Sequence, residues 1–97
     1  MQVVFRDRRL ERCYRVAAEA YQAWGPLAGR AYIRRIDAIQ AAPTLAALFA
    51  TRSLRLHPLH GPLAGRHAAV LVDRWRLILT LDPPIVTIEE VSRHYGD

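Results

Sequence analysis

The apolar residues change period once, near residue 50, and no other feature of the chain constrains its fold as much. From Asp7 to Phe49 they recur at helical spacing; beyond residue 50 they come in short runs divided by turn residues. Asp7 is a natural N-cap for a first helix, along which Leu10, Tyr14, Ala17, Tyr21 and Trp24 share a face. Gly25-Pro26 should end it. A second helix is expected over Leu27–Ala42, with Tyr32, Ile33, Ile36 and Ile39 facing inward and Arg30, Arg34 and Arg35 facing water. Pro43 breaks that helix, and residues 44–49 add one short helical turn. Before the helices, Gln2–Phe5 (QVVF) reads as a strand. After them Leu54 and Leu56 alternate with Arg55, residues 57–62 read as loop, and strands are expected at Ala68–Val72, Trp75–Leu81 and Ile85–Val91. Asp73-Arg74 and Asp82-Pro83-Pro84 turn the chain between them. The order β-α-α-β-β-β, with helices and strands segregated, predicts an α+β fold: a twisted, mainly antiparallel sheet packed on a helical hairpin. At 97 residues the chain has room for one domain, 1–97.

Several function classes drop out early. Cys13 is the only cysteine, which excludes an internal disulfide or a CxxC zinc site and fits a reducing cytoplasm. It reads as a small core hydrophobe, and Trp24 and Trp75 as core aromatics. The charged start, MQVVFRDRRLERCYR, has no signal-peptide core. The longest uncharged run, Ala38–Thr51, is shorter than the roughly 20 residues a membrane helix needs. No Walker loop, GxGxxG or HExxH occurs, so no cofactor is expected. His57 and His60 form an HxxH on a Pro-flanked loop, which lacks the helical i, i+4 geometry of two-histidine metal sites.

Charge is the unusual property. The net charge is +5, all fourteen cationic residues are Arg, and the pI is near 10.3. Residues 52–76 concentrate it, with Arg52, Arg55, Arg66, Arg74 and Arg76 against Asp73 alone, and they also hold His57, His60 and His67. An Arg cluster is most often a solvated surface, and loop histidines are most often passive. Their functional value depends on convergence. On the strand Trp75–Leu81, alternation puts Trp75, Leu77, Leu79 and Leu81 toward the helices and Arg74 and Arg76 on the opposite, open face. An Arg pair on an open face with histidines at its rim suits phosphodiester cleavage by an internal 2′-hydroxyl, which needs a base, an acid and a fixed cation.

The sequence resembles the RelE/HigB-type toxins of bacterial toxin–antitoxin pairs over nearly its whole length. The likeness is carried by the QVVFRDRRLERCYR start, by the Leu45–Leu48 segment, by LRLHPLHGPLAGRHAAVLVDRWRLILTL and by the terminal IEEVSRHYGD. LHPLHG matches the family's LxxLxG loop, and VDRWRLI its Arg-bearing central strand. The resemblance implies a small RelE-like fold, similar to microbial ribonucleases, and metal-free cleavage of messenger RNA, in many members on the ribosome. His57 then falls on the loop histidine of the HigB-like branch, and His60 where many members have Lys. Arg76 falls on the central-strand Arg, and His94-Tyr95 near a C-terminal pair often written Tyr-His. Arg52, Arg55, Arg66 and Arg74 are the expected RNA contacts. Two departures stand out: Val70 where relatives often carry Arg, and Arg93 where they often carry Asp. The resemblance further implies a cognate antitoxin, expected here to be acidic and helix-turn-helix. Two other readings are a ParE-like poison of DNA gyrase and a toxin-like binding module with weakened catalysis.

Overall fold

The computed structural model describes residues 1–93. Five strands form one mixed sheet: β1 (Gln2–Phe5), β2 (His57–Pro58), β3 (His67–Val70), β4 (Arg76–Asp82) and β5 (Ile85–Ser92). They lie in the order β1-β5-β4-β3-β2, with β1 parallel to β5 and every other pair antiparallel. Three helices, α1 (Arg8–Arg15), α2 (Ala17–Ala41) and α3 (Leu45–Ala50), precede β2. The α+β class and the segregation of helices from strands are as expected.

The helical layer departs from the sequence expectation first at Val16. Asp7 does cap α1, accepting the Leu10 N–H at 2.9 Å. The helix then breaks at Val16, whose backbone is extended (φ −122°, ψ 99°), and restarts at Ala17. Val16 is neither Gly nor Pro, so nothing in the local sequence marks the break. A bidentate Arg12–Glu19 pair spans it. Farther on, Gly25 (φ 85°, ψ 163°) reverses α2 in a conformation that side-chain-bearing residues avoid. The two arms then cross at Gly29, where an added Cβ would stand 2.9 Å from the Ala20 carbonyl carbon. Trp24 and Tyr32 meet beside that crossing, ring centroids 4.6 Å apart. The buried Tyr32 hydroxyl donates to the Leu10 carbonyl at 2.6 Å, which ties α1 to the second arm, and burial raises its pKa far above the ordinary value. Tyr14 and Tyr21, on the face shared with Leu10 and Trp24, pack half-buried against the core; the Tyr14 hydroxyl donates to Asp37 on the surface.

The core lies between this layer and one sheet face, where Leu77, Leu79, Val86, Ile88 and Ala69 meet Tyr32, Ile36, Ile39, Leu48 and Leu54, all fully buried. Trp75 and Leu81 pack against this core as expected, half-buried at its margin. On the other face Ile78 and Ala68 are cross-strand partners and both are fully buried, so that face has an apolar centre of its own.

The register of β5 explains a pattern that simple alternation does not. Leu79 pairs with Ile88 and Ile78 with Glu90, which leaves Glu89 as an extra residue. This bulge shifts the phase of the strand. Val86, Ile88 and Val91 thereby share the helix-side face although their spacing is two, then three. Glu90 and Ser92 are carried to the other face, opposite Ile78 and Arg76. Glu89 itself accepts a hydrogen bond from the Thr80 hydroxyl at 2.8 Å.

Candidate active site

His57 and Pro58, expected in a loop, instead pair with Ala68 and His67 as a two-residue edge strand. Proline fits there because an edge position need not donate to the ladder. The pairing places His57 on the same face as Ala68, Ile78 and Arg76. Beside it an open groove of about 610 Å³ is lined by Arg55, His57, Val70, Leu71, Val72, Asp73 and Arg76. Its charged lining is Arg55 and Arg76 against Asp73.

The backbone around this groove is strained where the rest of the described chain is not. Arg55 (φ 46°) and Asp73 (φ 52°) are the two non-glycine residues with positive φ among the described residues, and both line it. Such conformations cost about 1–3 kcal/mol each and tend to gather at functional sites. The left-handed turn at Arg55 brings its carbonyl to 2.9 Å from His57 Nδ1. A carbonyl can only accept, so Nδ1 carries the proton and the neutral ring keeps its lone pair on Nε2. The turn at residues 71–75 is closed by Leu71 N–H to Trp75 O (3.1 Å) and Trp75 N–H to Val72 O (2.9 Å). Its inner carbonyls receive Arg76, whose Nη1 donates to Asp73 O at 2.7 Å and to Trp75 O at 3.1 Å. One guanidinium is therefore anchored at the mouth of the groove, and one imidazole is held in a defined tautomer at its side. Together they offer a fixed cation and a proton acceptor.

Of the residues singled out from sequence, the groove unites His57, Arg76 and Arg55. His60 is exposed at the start of the short 3₁₀ turn Gly61–Leu63, outside the lining. Arg52 and Arg66 are also absent from it. Arg74 was expected on the strand face beside Arg76, but the strand begins only at Arg76, and Arg74 sits exposed in the turn. His94 and Tyr95 lie outside the described residues. Arg93 stacks on Trp75, its guanidinium carbon 5.3 Å from the ring centroid.

Three features escaped the sequence reading. Arg35, expected in water, is half-buried and donates to Val70 O (3.0 Å) and Leu71 O (3.4 Å). Glu90 reaches the site face through the bulge. His67, on the helix side of β3, lies edge-on to Phe49 at 5.6 Å, its Nδ1 buried without a hydrogen-bond partner. Burial, then the charge of neighbouring His57, lowers the His67 pKa. On α1, burial raises the Cys13 pKa and keeps its thiol unreactive.

No protein-family description matches the chain. No curated protein matches it in sequence. Solved structures do match in fold. A chain of the YoeB–YefM complex from Staphylococcus aureus superposes with a TM-score of 0.64 at 15% identity, covering 98% of each chain. YafQ from E. coli strain BL21(DE3) gives 0.58 at 14% identity, over 94% of this chain and 90% of that one. The YoeB/ParE toxin from Agrobacterium tumefaciens gives 0.58 at 17% identity, over 98% and 100%. The architecture is thus the fold shared by these YoeB, YafQ and YoeB/ParE structures, a small RelE-like α+β fold.

Proposed function

We propose that this protein is the toxin of a type II toxin–antitoxin pair and acts as a metal-independent endoribonuclease on messenger RNA, on the ribosome. The observation that carries the reading is the meeting of Arg76 and His57 in one strained, cationic groove. His57 Nε2 takes the proton of the attacking 2′-hydroxyl while that oxygen bonds to phosphorus. Arg76 balances the charge that grows on the phosphoryl oxygens. The bond to the 5′-oxygen breaks, a cyclic phosphate remains on one fragment, and the leaving oxygen takes a proton from His60 or His94. Tyr95 stacks on a base, and Arg52, Arg55, Arg66 and Arg74 contact RNA phosphates. An acidic antitoxin covers this basic surface, as the YoeB–YefM pairing of a fold neighbour supports. The cytoplasm is the compartment where message and partner meet; no helix among the described residues is long and apolar enough to cross a membrane.

The test is cleavage of a defined message on purified ribosomes. Wild type should cut and His57→Ala should not; equal cutting by both sinks the assignment. A second reading, poisoning of DNA gyrase, is favoured by the ParE likeness of the Agrobacterium neighbour. Inhibited supercoiling with intact message in arrested cells would establish it instead.

A further inference from the structure

Arg35 reaches from the helical layer to the sheet's far hairpin. It lies on the second arm of α2, thirty-five residues from Val70, and its Nε and Nη2 each take a backbone carbonyl where β3 ends. Neither ion pair among the described residues includes it, so a half-buried guanidinium is satisfied there by neutral carbonyls. Burying a cation without a carboxylate is a poor way to gain stability alone. Its location has a different consequence. The two carbonyls belong to the residues that enter the 71–75 turn, and that turn presents the Asp73 and Trp75 carbonyls to Arg76. Asp73 holds a left-handed conformation that surrounding contacts must enforce.

We infer that Arg35 is a positioning residue: by gripping the Val70 and Leu71 carbonyls it fixes the turn that aims Arg76 into the groove. The inference rests on the reading of that groove as the cleavage site. The planar guanidinium fork meets two adjacent carbonyls with its donors already in place. A Lys ammonium on a flexible stem loses more freedom in doing so, so Lys is a poor substitute.

The experiment compares Arg35→Gln, Arg35→Lys, Arg76→Ala and the double variant Arg35→Gln/Arg76→Ala. On a defined message with purified ribosomes, Arg35→Gln should lower kcat about ten-fold with KM little changed, because a small misplacement of a charge-stabilising group costs rate. Arg35→Lys should restore part of that loss. The double variant should cut no more slowly than Arg76→Ala, since Arg35 acts only through the turn that places Arg76. Additive losses would overturn the inference. A second readout needs no cleavage: the Trp75 amide, which closes the turn, should exchange its hydrogen faster in both Arg35 variants. Unchanged exchange in a folded variant overturns the positioning role. If wild type and Arg76→Ala are equally inert toward RNA while Trp75 exchange still rises, the positioning stands and the ribonuclease reading falls. Should Arg35→Gln fail to fold, Arg35→Lys carries both readouts.

Discussion

The two edges of the sheet are built on different terms. At one, β1 runs beside β5 in unbroken parallel register from Gln2–Ile85 to Phe5–Ile88, with Val3 and Phe5 packed on the core. At the other, β2 is two residues long, flanked by 3₁₀ turns, and entered through a left-handed Arg55. The regular edge pairs one side of its backbone with β5 along its whole length. The irregular edge carries backbone strain at Arg55 beside an open groove lined by Arg55 and Arg76. Stability and the proposed activity thus draw on different edges of the sheet, and substitutions on the two sides should fail in opposite ways.

The largest effect is expected on the core side. Leu79 is fully buried at the centre of the sheet, and Leu79→Ala should cost about 2–5 kcal/mol in urea unfolding. The fraction that remains folded should keep its kcat. Loss of kcat in the folded fraction would mean that core and groove are not independent. Arg76→Ala should behave in the reverse manner, with a melting temperature close to wild type and cleavage slowed about 10²–10³-fold. A large loss of stability from Arg76→Ala would make that residue structural and erase the contrast.

How much of this contrast could be read in the sequence follows from what sets each part. The helix-spaced run from Leu10 to Ile39 and the apolar face of β4 were legible because burial imposes a period on them. Arg76 was legible for the same reason, as the polar neighbour of Leu77. The break at Val16 was not, because no Gly or Pro marks it and the cause is how α1 and α2 pack. The bulge at Glu89 was hidden as well, since two adjacent glutamates look alike until the register chooses which one faces the site. The edge strand at His57–Pro58 was masked by proline, whose usual meaning is loop. Arg35 was misread because three arginines close together on α2 look equally solvated, and only the tertiary path of β3 singles one out. His94 and Tyr95 remain assigned by resemblance.

A smaller effect sharpens the comparison, because its sign is unusual. Arg55 holds φ 46°, where glycine has no penalty and other residues do. Arg55→Gly should therefore be neutral to stabilising, by up to about 1 kcal/mol once the added freedom of the unfolded chain is set against the strain relieved. Cleavage should nevertheless drop, because the groove loses a cation and the carbonyl that fixes His57 becomes free to move. A gain in stability with full activity would show that the strain at Arg55 has no part in function.

The smallest effect concerns pH. Burial, and secondarily His57, depress the His67 pKa below 6.5 in the folded protein. In the unfolded chain His67 titrates near its ordinary value, so between the two values the unfolded state binds more protons. Stability therefore rises with pH through that window. The contribution is complete above about pH 6.5 and is lost as the pH falls toward the folded value. Melting temperatures taken from pH 7.5 down to pH 5 should decline, and His67→Gln should flatten part of the decline by removing the titrating ring. His57→Ala should flatten a smaller part, since it removes only the second of the two causes and leaves the burial between β3 and Phe49 intact. A His67→Gln variant that follows the wild-type curve point for point would place the pH sensitivity elsewhere.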